Sequence, residues 1–177
     1  SFSADMAVGS VDQAANQETV QTAYGFSMAL TTSFTGDDSL DVTLSGGNGG
    51  GALTEFDITN MGAPDFVAID GISYTFPLGE KATALVGVDV DGSSLYNTAC
   101  LYSGPSDTLD NCGNWMSAMA TDSDTAFGLT YDFGNGLSAS FGYEGAGGTA
   151  AGLASEEGLD AYGCLLYTSD AADEKVR

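Results

Sequence analysis

The sequence predicts an all-β chain, an antiparallel up-and-down meander that forms part of a transmembrane β-barrel: an open, curved sheet of about six to eight strands. Three observations carry this. Between Tyr24 and Leu44 large apolar residues alternate with small or polar ones, the two-residue period of a β-strand. The same alternation returns in four further stretches, paired about short turns. Short connections also alternate with long ones, as in an outer-membrane barrel with tight turns on one side and long loops on the other.

Composition narrows the function classes. Of the 177 residues 43% are hydrophobic, too many for a disordered chain. Yet no stretch approaches the roughly 18 apolar residues of a membrane-spanning helix. The chain carries 25 acids against 3 bases, a net charge of −22. Nothing in it neutralises phosphate, so no nucleic-acid partner is expected, and no electrostatic hold on an anionic membrane surface either. It attracts cations; a strongly acidic surface also keeps a protein soluble in salty surroundings. With no initiating Met and no signal peptide, the sequence reads as an internal piece or a processed chain.

The elements follow in order. Phe2, Ala4, Met6 and Val8 alternate faintly, as at the end of a strand, and residues 9–22 read as a polar loop. In the first full strand Tyr24, Phe26, Met28, Leu30 and Phe34 share one face, and Gly25, Ser27, Ala29, Thr31, Ser33 and Thr35 the other. After the turn at Gly36-Asp37-Asp38, Leu40, Val42 and Leu44 alternate with Asp41, Thr43 and Ser45. Gly46–Gly51 reads as a flexible segment, and a weak strand is expected around Phe56 and Ile58 within a loop. A third strand is expected from Ile69 to Leu78, with Pro77 at its end because proline cannot donate a ladder hydrogen bond. Gly79-Glu80 turns the chain into a fourth, Lys81 to Asp91. A long loop, 92–124, contains Cys100, Cys112 and Trp115. The fifth and sixth strands, Thr125–Phe133 and Leu137–Glu144, flank Gly134-Asn135-Gly136, a strong hairpin signal. After a Gly/Ala loop, Leu159 and Ala161 begin a seventh.

At this point a family resemblance becomes specific. LTTSFTGDDSLDVTLSGGN, Leu30 to Asn48, resembles the barrel of cyanobacterial outer-membrane porins that carry a surface-layer-homology domain, similar to the carbohydrate-selective and iron-uptake porin group. ISYTFPLGEKATALVGVDV and AFGLTYDFGNGLSASFGY look like its next two hairpins. The resemblance covers most of residues 23–163 and implies a many-stranded barrel passing small solutes and inorganic ions, possible carbohydrate transport, and homotrimers of the full-length parent. The family's first hairpin carries Lys and Arg after SFTG; here Asp37, Asp38, Ser39 and Asp41 stand there.

The last stretch, CLLYTSDAADEKVR from Cys164, matches one reading frame of a transposase sequencing adaptor through Glu174, and the apolar alternation stops there. The expectation is a partial porin barrel over residues 1–163 and adaptor read-through, not native sequence, over 164–177. Discounting those residues removes Lys175 and Arg177 and leaves Lys81 as the only base.

Chemistry is sparse. Without His there is no Ser-His-Asp or Cys-His nucleophile. Gly46–Gly51 lacks the Lys and the strand-to-helix context of a phosphate loop. Asp89-Val90-Asp91-Gly92 has the opening of a calcium loop but no acid at the later spacing. No catalytic residue, metal site or cofactor is expected, and the protein is not expected to be an enzyme. The residues singled out are lumen-facing acids, Asp41, Asp89, Asp132 and Glu144, which raise local cation concentration. A lipid-facing belt is expected from Tyr24, Phe26, Phe34, Tyr74, Phe76, Tyr131, Phe133, Phe141 and Tyr143. A disulfide between Cys100 and Cys112, worth about 3 kcal/mol by loop closure, suits an oxidising outside loop; two unpaired buried thiols are the alternative. The expected partners are outer-membrane lipid and small solutes or ions in transit. The competing class is a secreted acidic β-sandwich adhesin or surface-layer module, which would turn its aromatic faces inward against a second sheet.

Overall fold

The computed structural model describes residues 1–10, 19–49, 53, 56, 58–59, 66–97, 125–148, 152–156 and 158–168. Among them are eight strands: β1 (Phe2–Gly9), β2 (Gln21–Thr32), β3 (Ser39–Gly47), β4 (Val67–Pro77), β5 (Ala82–Val88), β6 (Thr125–Gly134), β7 (Leu137–Gly145) and β8 (Asp160–Thr168). They form one antiparallel sheet in sequence order, β1 to β8, so every strand pairs with its neighbour in the chain. The sheet is not closed into a barrel, and β1 and β8 each pair on one side only.

The described residues divide into two compact units. One takes the described residues of Ser1–Leu30 and Val42–Asp70; the other takes Thr31–Asp41, residues 71–97 and the described residues from Thr125 onward. In the first unit β1 lies against β2 with Phe2 opposite Met28, Ala4 opposite Phe26 and Met6 opposite Tyr24. Ala23, Leu53 and Ile58 are buried together, with Ala7 packed against them. Gly46 and Gly47, expected in a flexible segment, instead end β3. A side chain at Gly47 would overlap the backbone carbonyls of Tyr24 and Thr59, so glycine is what lets the chains approach. Asn48 follows as a clasp: its Oδ1 accepts the Tyr24 amide at 2.7 Å and its backbone amide donates to the Tyr24 carbonyl at 2.9 Å. Phe56 and Ile58 lie outside any strand, and most of the residues around them, where a weak strand was expected, lie outside the described residues.

In the second unit the short turns stand where glycine and asparagine put them. Leu78 N–H donates to Ala82 O at 2.8 Å to close β4–β5. Asn135, with φ +56°, and Gly136, with φ +76°, supply the left-handed pair that a tight β6–β7 turn demands. A bulge between Asp132 and Gly134 makes Phe133 the extra residue of β6. Among the boundaries that differ from the sequence pattern, two have a clear backbone cause. β5 stops at Val88 rather than Asp91, because Asp89 takes φ +53° and turns the chain out of the ladder. β8 runs on past Gly163 to Thr168, pairing residue for residue with β7 down to Leu137. The side-chain alternation fades at Cys164, but a ladder is made by backbone groups, which every non-proline residue supplies.

Candidate functional site

The pairing register sorts residues by face, because directly opposed residues of an antiparallel pair project to the same side. Across β4 to β8 one face is continuous. Tyr74 stands opposite Val86, Val86 opposite Phe127, Phe127 opposite Tyr143, and Tyr143 opposite Tyr162. This large apolar face is the uncovered one: Ile72, Val86, Val88, Tyr131 and Phe133 are all exposed, Phe133 by 51%. The opposite face is small and polar, with Thr130 opposite Ser140, Asp132 opposite Ser138 and Ala126 opposite Glu144. There Ser138, Ser140 and Glu144 are buried. A water-soluble sheet has the reverse distribution, since burial of apolar area is what drives its folding.

The aromatic residues gather on the exposed face. Tyr74 stacks on Phe76 at 5.2 Å and meets Phe34 edge-on at 6.0 Å, and Tyr131 meets Phe133 at 4.8 Å. All five adjoin short turns; Phe34 lies just beyond the end of β2. Toward the other strand ends Phe127, Phe141, Tyr143 and Tyr162 form a second group, with centroids 5.1 to 6.4 Å apart. Tyr143 also donates its hydroxyl to Asp160. In the first unit Phe26 stacks on Phe2 at 6.1 Å, and Tyr24 is half-buried.

What covers the polar face is the segment Asp91–Asn97. Its Gly92 amide donates to Glu144 Oε1 at 3.0 Å, Ser140 Oγ donates to the Leu95 carbonyl at 3.4 Å, and Asn97 Nδ2 donates to Ser138 Oγ at 2.8 Å. The Asp91 carbonyl holds the Ser94 amide at 3.1 Å and its hydroxyl at 2.6 Å, coiling the segment into a turn. Gly92 lies against the Tyr143 backbone so closely that no side chain fits there. Burial pushes the Asp91 carboxyl above the usual carboxylate range, and the Glu144 charge adds to this. Burial likewise raises the Tyr96 phenol, with Cys164 and Glu144 adding to it.

The four acids thus have four different settings. Asp41, on β3, accepts Thr31 Oγ1 at 2.5 Å and Ser39 Oγ at 2.6 Å. Asp89 lies past the end of β5 and therefore has no strand face, which corrects its expected place on a wall. Asp132 is exposed and accepts the Gly134 amide at 2.7 Å. Glu144, expected on a wetted wall, is 4% exposed beneath the covering segment. Asp132 also lines a cleft of about 570 Å³ with Glu80, Lys81, Thr83, Asn97 and Ser138. Cys100 and Cys112 lie outside the described residues, and Cys164 is an exposed free thiol. Among the described residues no group of three or more His, Cys, Asp or Glu is placed to hold a metal ion.

One residue was read only as part of a turn. Asp38 accepts Ser33 Oγ at 2.6 Å, the Phe34 amide at 3.1 Å, the Thr35 amide and hydroxyl at 2.7 Å each, and Tyr74 OH at 2.7 Å. The Ser33 and Thr35 hydroxyls, with the Thr35 amide and Tyr74, hold its carboxyl far below the usual range. The local partners were within reach of sequence reasoning, because Ser/Thr-x-x-Asp spacing favours such turns. Tyr74, 36 residues away, was not.

Comparison of the chain with models of protein families, with curated proteins and with solved structures finds no match to any of them.

Proposed function

We propose that the chain is part of an outer-membrane porin barrel whose parent passively conducts small hydrophilic solutes and inorganic ions, with a bias toward cations. The observation that supports this most is the inverted sheet: aromatic and branched apolar residues on the uncovered face, serines, threonines and acids on the covered one. In a bilayer the first face meets lipid and the second a lumen. Aromatic rings beside every short turn described fit a girdle at one membrane interface. The absence of a membrane-crossing helix does not bear on this, since a barrel crosses with strands. A net charge of −22 with Asp41 and Asp132 on strands of the sheet favours cations over anions. Cell outer membrane of the Gram-negative type is the corresponding location, and no catalysis is involved.

Two measurements test this reading. Refolding the chain with and without detergent micelles, followed by circular dichroism, is expected to give β-sheet only with the amphiphile. A monomeric β-protein stable in plain buffer would sink the proposal in favour of a secreted β-sandwich module. In planar bilayers under a salt gradient, the full-length parent is expected to show a reversal potential of cationic sign; anion preference would overturn the selectivity.

A further inference from the structure

The cleft beside the two tight turns of the second unit is built by register. Lys81 stands one residue before β5, and its carbonyl accepts the Asp132 amide at 2.8 Å, which continues the β5–β6 ladder past Ala82 and Tyr131. Asp132 in turn stands opposite Ser138. Opposed residues of an antiparallel pair project to one side, so Lys81, Asp132 and Ser138 form a row across three strands on the small polar face. Thr83, opposite Thr130, belongs to the next row. Glu80, from the β4–β5 turn, and Asn97, from the segment after β5, line the same cleft of about 570 Å³. Asn97 Nδ2 is tied to Ser138 Oγ at 2.8 Å, and Asp132 Oδ1 accepts the Gly134 amide at 2.7 Å. Both side chains are thus held in place by the protein itself. Tyr167 also lines the cleft, from β8, but its three charged groups all lie before the adaptor-like stretch.

The charges select the occupant. Lys81 is the only Lys or Arg among the described residues, in a chain with 25 acids and 3 bases, and it stands in this cleft. No ion pair among the described residues engages its ammonium. A wall that served only to pass cations would gain nothing from it, since it repels the ion that the neighbouring carboxylates attract. A ligand carrying both signs gains from both: its carboxylate meets Lys81, and its ammonium meets Asp132 and Glu80, in charge-assisted hydrogen bonds. Opposed positions on neighbouring strands lie about 5 Å apart, close enough for one small molecule to reach both. Thr83, Ser138 and Asn97 supply neutral donors and acceptors for a polar side chain. We infer that this cleft binds small polar zwitterions of the α-amino-acid class. Its residues belong to one compact unit, so the inference stands whether that face lines a lumen or meets bulk water. On the porin reading, the cleft is a stopping place for such solutes at the mouth beside the short turns.

The test is an NMR titration of the isotope-labelled 177-residue chain. It is run in whichever medium holds the chain folded, detergent micelles or plain buffer, so that a failure here is separate from a failure of the porin reading. Near pH ~7, where amine and carboxyl are both charged, four probes of similar size are compared. L-serine carries both charges, ethanolamine lacks the carboxylate, glycerate lacks the amine, and glycerol has no charge. Serine is expected to bind with a millimolar dissociation constant and to shift the amides of Thr83, Asp132 and Gly134. Ethanolamine and glycerate are expected to bind about tenfold more weakly, the scale of one charge-assisted hydrogen bond, and glycerol more weakly still. Lys81→Met is expected to weaken serine about tenfold without weakening ethanolamine. Asp132→Asn keeps an acceptor for the Gly134 amide, and is expected to weaken serine without weakening glycerate. No serine binding, shifts confined to amides outside the cleft, ethanolamine, glycerate or glycerol binding as tightly as serine, or a Lys81→Met chain that binds serine like the unaltered one would each overturn the inference.

Discussion

In the first unit the small-residue side of the sheet is covered by Leu53 and Ile58, seated on Gly9, Gly25 and Ala23. In the second, the same kind of surface is covered by Asp91–Asn97 through hydrogen bonds to Glu144, Ser140 and Ser138. Glycine and alanine make both possible, since a backbone or a branched side chain can approach only where no larger side chain stands in the way. The fastening differs. A fully buried Leu or Ile contributes about 1.5–3 kcal/mol, does not titrate, and needs no partner geometry. A hydrogen bond contributes about 1 kcal/mol and answers to charge. One cover is thus held by apolar packing, the other by directed polar contacts.

The largest expected break in this comparison is Gly47→Val. Its side chain would meet the Tyr24 and Thr59 carbonyls, backbone that cannot rotate aside. A loss of about 3 kcal/mol is expected, read from the urea midpoint in detergent. Leu53→Ala leaves a cavity instead of a clash. It is expected to cost about 2–3 kcal/mol, with the exchange protection of Tyr24–Phe26 falling first. Ser138→Ala removes one of the hydrogen bonds that dock Asp91–Asn97. About 1 kcal/mol of local protection should be lost at Ser94 and Tyr96, with the urea midpoint unmoved. The smallest effect expected is a null one that sharpens the contrast. Between about pH 4 and pH 8 the amides of β2 beneath Leu53 and Ile58 should hold constant protection, because neither covering side chain titrates.

The sequence displayed most of the sheet and little of what covers it. Period-two alternation located β2 through β7, because each strand keeps one apolar and one small face and that contrast is written into neighbouring residues. Gly79 and Asn135-Gly136 located the tight turns through their φ preferences. The end of β5 was not legible. Asp89 carries on the alternation chemically, and only the left-handed turn into Asp91–Asn97 shows that the strand has ended. β8 was legible as a beginning only, since its later pairing with Leu137–Phe141 is carried by backbone. Glu144 looked like a surface acid because the group that buries it, Gly92, lies 52 residues earlier. Asp38 looked like an ordinary turn residue for the same reason, with Tyr74 completing its shell from a distant strand. What escapes sequence reading here is long-range contact between connections and strands, not the strands themselves.

Every strand in the β1-to-β8 order pairs with the strand next to it in the chain. Such an arrangement is modular in heredity as well as in space. A duplicated or deleted hairpin at either edge adds or removes two ladders and leaves every other pairing intact. The gene can lengthen or shorten this sheet two strands at a time, each intermediate inheriting a working register from its parent.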